Sequence, residues 1–211
     1  MSPAAPAAGA DAPDWIVLKF GGTSVSRRHR WDTIGQLMKR RAEETGARVL
    51  VVVSAVSGVT NELQAVCDGH ADEAATHARI AALVQRHEAF CADLGLDAAS
   101  VLGERLAALR ALGSDPRRAS GDLGWQAEVL GQGELLSSTL GVAYLRGQGL
   151  DVGWVDSRDW IAARPLPNQN AWSKRLSASC DYTGDAPLRA RFASAGPALR
   201  IAQGFIARAP D

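Results

Sequence analysis

Arg48-Val49-Leu50-Val51-Val52-Val53 constrains the fold more than any other stretch of this chain. A strand with one face in water alternates apolar and polar residues. Five consecutive apolar residues, four of them valine, instead fit a strand covered on both faces, the setting of a central strand in a parallel sheet. The residues before it complete a unit. Trp15-Ile16-Val17-Leu18-Lys19-Phe20 is a second short apolar run, read as a buried strand, and it ends at Gly21-Gly22. From about Ser26 the period changes: Trp31, Ile34, Met38 and Ala42 recur at helical spacing, with Gly46 as a stop. Strand, helix, strand is a βαβ unit with an expected right-handed crossover.

The rest continues the alternation. A helix is expected to begin at Thr60 or Asn61. A second spans Asp72 to Leu94 through Ile80, Leu83, Val84, His87 and Cys91, and a third carries Val101, Leu102, Leu106 and Leu109. Ser114 to Asp122 reads as a polar turn. Trp125 to Leu145 reads as helix interrupted at Gly131 and Gly133, since a glycine inside a helix costs about 1 kcal/mol relative to alanine. Val152 to Val155 and Leu199 to Ile206 are the remaining strand candidates, separated by a turn-rich stretch at Arg164 to Ala171. The predicted class is α/β with a mostly parallel sheet. Because an α/β domain ordinarily follows a strand with a covering helix, a chain stopping at Asp211 reads as truncated. Met1 to Asp14, rich in Ala and Pro, reads as a disordered lead-in before one lobe spanning 15–211.

Bulk properties narrow the function. Lys plus Arg and Asp plus Glu both number 23, so no basic face points to nucleic acid. No apolar run approaches the roughly 18 residues of a membrane span, and no secretory leader is recognisable. Cys67, Cys91 and Cys180 suggest neither a disulfide framework nor a zinc site, which fits reduced thiols in a cytoplasmic protein. The four histidines lack metal-ligand spacing, so no metal site is expected from side chains. Lysine stands only at Lys19, Lys39 and Lys174 in a chain that otherwise uses arginine, which draws attention to places where a compact ammonium is needed.

Four segments can carry chemistry. Lys19-Phe20-Gly21-Gly22-Thr23-Ser24 lies where a strand meets a helix. Glycines there let main-chain amides approach phosphate oxygens, and Lys19 can place a charge on them; the alternative is a sharp turn with an extended lysine. It is neither a Walker loop nor a GxGxxG dinucleotide fingerprint. Ser54-Ala55-Val56-Ser57-Gly58-Val59-Thr60 follows the second strand on the same sheet edge; its hydroxyls serve either a polar ligand or a helix cap. In Gly131-Gln132-Gly133-Glu134-Leu135-Leu136-Ser137 the glycines are expected to break and restart the helix. That would place Glu134 in a first turn, as an ordinary exposed glutamate or as a partner for a substrate ammonium. Asp156 and Arg158 read as a structural pair.

Together these segments resemble the aspartate kinases of the amino-acid kinase family: KFGGTS at Lys19 to Ser24, VVVSAVSGVTNEL at Val51 to Leu63, GQGELLSS at Gly131 to Ser138 and AQGFIA at Ala202 to Ala207, four blocks in the family's order. The resemblance implies a three-layer αβα sandwich whose N-terminal lobe binds aspartate, the nucleotide lobe lying beyond this chain. It implies ATP and Mg²⁺ as cofactor and ion, and transfer of the γ-phosphoryl group to the β-carboxylate of L-aspartate, an early step of lysine biosynthesis. Lys19 would be catalytic, Gly21 and Gly22 would face phosphate, Ser54 and Thr60 would contact aspartate, and Glu134 would hold its α-ammonium. The family's further carboxylate-clamping arginine is not fixed by alignment; Arg164 and Arg175 both stand in the stretch. A homo-oligomer is expected of the full enzyme. Ser24 to Trp31 and the lead-in are similar to a subgroup fused to diaminopimelate decarboxylase. A glutamate or N-acetylglutamate kinase, or an aspartate-binding piece without turnover, are the alternatives.

Overall fold

A computed structural model describes residues 15–194 and 196–209, so the Met1 to Asp14 lead-in lies outside the described residues. The chain runs β1 (Trp15–Phe20), α1 (Arg28–Thr45), β2 (Arg48–Val53), α2 (Val59–Asp68), α3 (Glu73–Leu94), α4 (Ala98–Gly113), α5 (Leu123–Gly147), β3 (Val152–Val155), α6 (Ser157–Trp160), β4 (Ala163–Arg164), α7 (Ala171–Leu176), β5 (Ser179–Cys180), α8 (Ala186–Ser194) and β6 (Leu199–Gln203). Four strands form one parallel sheet in the order β1-β2-β6-β3; β4 and β5 make a separate antiparallel pair. The α/β class is therefore the one the sequence predicts.

Helix boundaries follow local chemistry. Gly46 and Gly95 close α1 and α3 in the left-handed conformation, which costs glycine nothing sterically. Asp72, Asp97 and Asp122 cap α3, α4 and α5, each side chain accepting a main-chain N–H near 2.9 Å, a contact worth about 1 kcal/mol.

Helices α1 and α5 pack on one face of the sheet, while α2, α3 and α4 pack onto α5. That face presents Val49, Val51, Val53 and Ile201, all buried. Trp31 is wholly buried between the layers; its indole N–H donates to the Val25 carbonyl at 3.0 Å. A methyl group at Gly141 would sit 2.0 Å from the Trp31 ring, so α5 meets α1 at a glycine. Truncating such a tryptophan costs about 3–5 kcal/mol.

On the opposite face α8 packs at the amino ends of the strands. Phe192 packs on Trp15 with centroids 4.9 Å apart, and Arg200 stacks on both rings. The buried Arg200 guanidinium donates to the Pro197, Phe192 and Gly196 carbonyls, and burial lowers its pKa. Among the described residues β1 is the sheet edge and not the buried strand its apolar run suggests: it pairs only with β2, and its Val17 and Lys19 side chains are exposed.

Candidate active site at the carboxyl ends of the strands

Because β1, β2 and β6 run parallel, their carboxyl ends bring Lys19 to Gly22, Ser54 to Thr60 and Gln203 to Ile206 to one edge of the sheet. This is where open α/β sheets bind ligands. The contacts that join these loops are short. Ser54 N–H donates to the Phe20 carbonyl at 3.1 Å, and Gly204 N–H to the Val53 carbonyl at 2.8 Å. Gly22 opens a single 3-10 turn, and a methyl group there would lie 2.7 Å from the Ala55 carbonyl oxygen. Glycine is required at this position by proximity, not by an unusual backbone angle.

Helix α5 supplies the floor, and it differs from the sequence expectation. It runs unbroken from Leu123 to Gly147 through both glycines. Gly133 is there because a methyl group would sit 2.6 Å from the Ala55 side chain and 3.3 Å from Val59. At Gly131 a methyl group would make only ordinary contact with Ile206, at 3.5 Å. Gly133 lets the Ala55 loop approach the helix, and neither glycine interrupts it. Glu134 consequently stands in mid-helix, only 5% exposed, not in an exposed first turn.

The buried carboxylate of Glu134 accepts the Ala55 main-chain N–H at 3.2 Å. Burial raises its pKa, and the Ala55 hydrogen bond partly offsets this. No cation forms an ion pair with it among the described residues. A buried carboxylate with one neutral donor is suited to receive an ammonium group.

The neighbouring residues of the block have separate tasks. Ser137 Oγ donates to the Ser54 carbonyl at 2.7 Å. Ser138 Oγ receives Gln203 Nε2 at 2.7 Å and Trp154 Nε1 at 3.0 Å. Gln203 also accepts the Ser157 N–H through its side chain and the Ser157 hydroxyl through its carbonyl, at 2.8 and 2.7 Å. The sequence assigns no role to Ser137, Ser138 or Gln203; a hydroxyl three or four residues after a buried acid is a faint signal.

Lys19 is exposed, with Nζ 4.9 Å from the centroid of the Phe205 ring. Phe205 is itself 82% exposed and has a positive φ of 62°, an uncommon state for a bulky residue. Ser54 is half-buried and Thr60 exposed in the first turn of α2. Gly58, not a hydroxyl residue, is the N-cap of α2, so the capping alternative for this loop is not the one adopted.

The remaining candidates separate. Asp156 and Arg158 form the structural pair expected, joined at 2.6 Å, with Asp156 also capping α6. Arg158 holds the Asp156 carboxyl below the usual carboxylate range. Arg164 pairs with Asp181 at 3.5 Å on the surface. Arg175 lines a cavity of about 280 Å³ with Gly131, Leu135 and Ile206. Among the described residues, no three His, Cys, Asp or Glu side chains converge as a metal cage, and no helix is long and apolar enough to cross a membrane.

A parallel sheet with glycine-containing loops meeting at its carboxyl ends is an α/β fold of the kind that binds ligands at that edge, and the chain belongs to the amino acid kinase family, whose model matches residues 14–209. Within that family its likeness is to aspartokinases. It is 30% identical over 213 residues to bifunctional aspartokinase/homoserine dehydrogenase 1 of Arabidopsis thaliana, covering 93% of this chain and 21% of that protein. It is 29% identical to the aspartokinase of Chlamydia muridarum over 69% of this chain and 31% of that one. Escherichia coli aspartokinase III in complex with aspartate and ADP superposes with a TM-score of 0.71 at 27% identity, over 90% of this chain and 40% of that structure. The chain thus spans between a fifth and two fifths of the length of these relatives.

Proposed function

We propose that this chain forms the aspartate-binding lobe of an aspartokinase, which transfers the γ-phosphoryl group of ATP to the β-carboxylate of L-aspartate. The carrying observation is the buried Glu134 carboxylate, held by Ala55 N–H beneath the loops at the carboxyl ends of β1 and β2. In this reading Glu134 takes the α-ammonium of aspartate. Ser54 and Thr60, whose hydroxyls have no hydrogen-bond partner among the described residues, contact the substrate. Lys19 neutralises charge on the transferring phosphoryl group, and the Gly21 and Gly22 amides face phosphate. The complex of E. coli aspartokinase III with aspartate and ADP supports both ligands.

The acceptor carboxylate is already ionised at neutral pH, so the reaction needs positioning and charge neutralisation, not a strong base. Among the described residues no three His, Cys, Asp or Glu side chains form a cage for Mg²⁺. The buried acid also favours a free amino acid over N-acetylglutamate, whose nitrogen is an uncharged amide. Cytoplasmic location, a role in lysine biosynthesis and self-association of the full enzyme are proposed on the family likeness. Fusion to diaminopimelate decarboxylase is proposed only on the similarity of the opening segment.

Steady-state kinetics of Lys19→Ala in the enzyme that carries this chain test the mechanism. Loss of one preorganised charge contact predicts a fall in kcat on the order of 10²–10³-fold with a much smaller rise in KM for aspartate. An unchanged kcat removes Lys19 from the chemistry.

A further inference from the structure

The Ser57 peptide is gripped from both ends by groups outside the four sequence blocks. Its N–H donates to Ser26 Oγ at 3.0 Å, and Ser26 Oγ in turn donates to the Gly22 carbonyl. Its carbonyl receives Nη2 of Arg86, which projects from α3. Nη1 of the same guanidinium meets the Glu62 carboxylate in the first turn of α2. One arginine therefore bridges the Ser54 to Thr60 loop, the start of α2 and the middle of α3.

The backbone is shaped for this contact. Gly58 has a φ of +83°, a conformation that side chains resist, and a methyl group there would lie 3.5 and 3.7 Å from the two guanidinium nitrogens. It is the left-handed backbone, not crowding, that calls for glycine here, and the turn sets the Ser57 carbonyl beside the guanidinium. A planar fork can serve a carbonyl and a carboxylate at once; an ammonium cannot match that geometry.

We infer that Arg86 is a positioning residue for the reaction: through Ser57 and Ser26 it fixes the Ser54 to Thr60 loop against the Gly21-Gly22 turn, and so sets the separation of the substrate-binding and phosphate-facing segments. The inference rests on the proposed function for its substrate but not for its mechanics. Arg86 touches neither ligand in this reading. It acts through a main-chain carbonyl three residues before Thr60 and two after Ala55, the partner of Glu134.

The test compares wild type with Arg86→Ala, Arg86→Lys and Glu62→Gln, each confirmed folded by circular dichroism. Two readouts are taken: amide hydrogen exchange at Ala55, Ser57, Val59 and Glu62, and L-aspartate affinity by calorimetry. Arg86→Ala is expected to speed exchange at these amides about tenfold or more and to weaken L-aspartate about tenfold, while amides of β2 and α5 keep wild-type protection. Arg86→Lys recovers part of both effects. Glu62→Gln, which keeps the Ser57 contact, shows a smaller loss and keeps the inference testable should Arg86→Ala not fold. Unchanged exchange at Ser57 and Val59 in a folded Arg86→Ala overturns the latch. Faster exchange with unchanged affinity overturns its role in positioning substrate. Wild-type protein that binds no L-aspartate, with the exchange effect present, overturns the substrate reading and leaves the latch standing.

Discussion

Glu134 and Ala55 are 79 positions apart in sequence, yet the Glu134 carboxylate accepts the Ala55 main-chain N–H at 3.2 Å. The contact ties the middle of α5 to the loop after β2, and it leaves a buried acid with one neutral donor. Burial holds the pKa of Glu134 above the ordinary carboxylate value. The folded state therefore keeps its proton at pH values where the unfolded chain has lost it. Stability falls as pH rises from the unfolded value, about 4.3, through the raised folded value, and the cost persists above it.

Glu134→Gln keeps an acceptor for Ala55 and removes the buried charge. The variant is expected to melt a few degrees above wild type at pH 7, roughly 2–4 °C for each kcal/mol. The difference should disappear near pH 4. Differential scanning calorimetry across pH reads this directly; a variant less stable than wild type at pH 7 contradicts it.

L-Aspartate affinity should show the opposite dependence. An ammonium pairs with the ionised form of Glu134, so affinity rises with pH until the raised pKa is passed and then levels. Calorimetric titrations from pH 4.5 to 8 measure this. Flat affinity across the range would remove Glu134 from ammonium recognition.

Gly133→Ala should be more harmful than its helix propensity suggests. Propensity alone favours alanine by about 1 kcal/mol, but the added methyl lies 2.6 Å from the Ala55 side chain. Overpacking of this kind costs about 1–3 kcal/mol, and the displaced loop carries the Glu134 partner. Lower stability together with weaker L-aspartate binding is expected. An unaltered melting temperature would contradict the close approach.

Thiol chemistry should single out Cys180. Burial pushes the Cys67 thiol up to about 12 and the Cys91 thiol up to about 11, while Cys180 is half-buried in β5. A thiol reagent at pH 8 is expected to modify one cysteine quickly and the other two only on unfolding. Two fast thiols would contradict the packing of α2 or α3.

Local signals carried most of the fold. The uninterrupted Val49 to Val53 run marks β2, a central strand between β1 and β6 that is fully buried only on its Val49, Val51, Val53 face, and the Trp31, Ile34, Met38 spacing with Gly46 marks α1 and its end. What local signals could not show was tertiary proximity. Gly131 and Gly133 read as helix breakers because propensity counts a missing side chain as a loss; at Gly133 the packed Ala55 loop explains why none fits. The apolar run of β1 read as buried because sequence does not reveal which strand takes the edge. In the candidate site, Lys19, Gly22 and Glu134 were legible from type and neighbours. Ser137, Ser138 and Gln203 were not, because their partners Ser54, Trp154 and Ser157 lie far away in sequence.

Thermal unfolding of this chain across an L-aspartate titration tests the central claim most directly, with D-aspartate and L-glutamate as controls and Glu134→Ala alongside. A ligand that binds only the folded state raises the midpoint with its concentration. The midpoint is expected to rise with L-aspartate alone, and not to rise in Glu134→Ala. An equal rise with L-glutamate, or a rise preserved in Glu134→Ala, would contradict it.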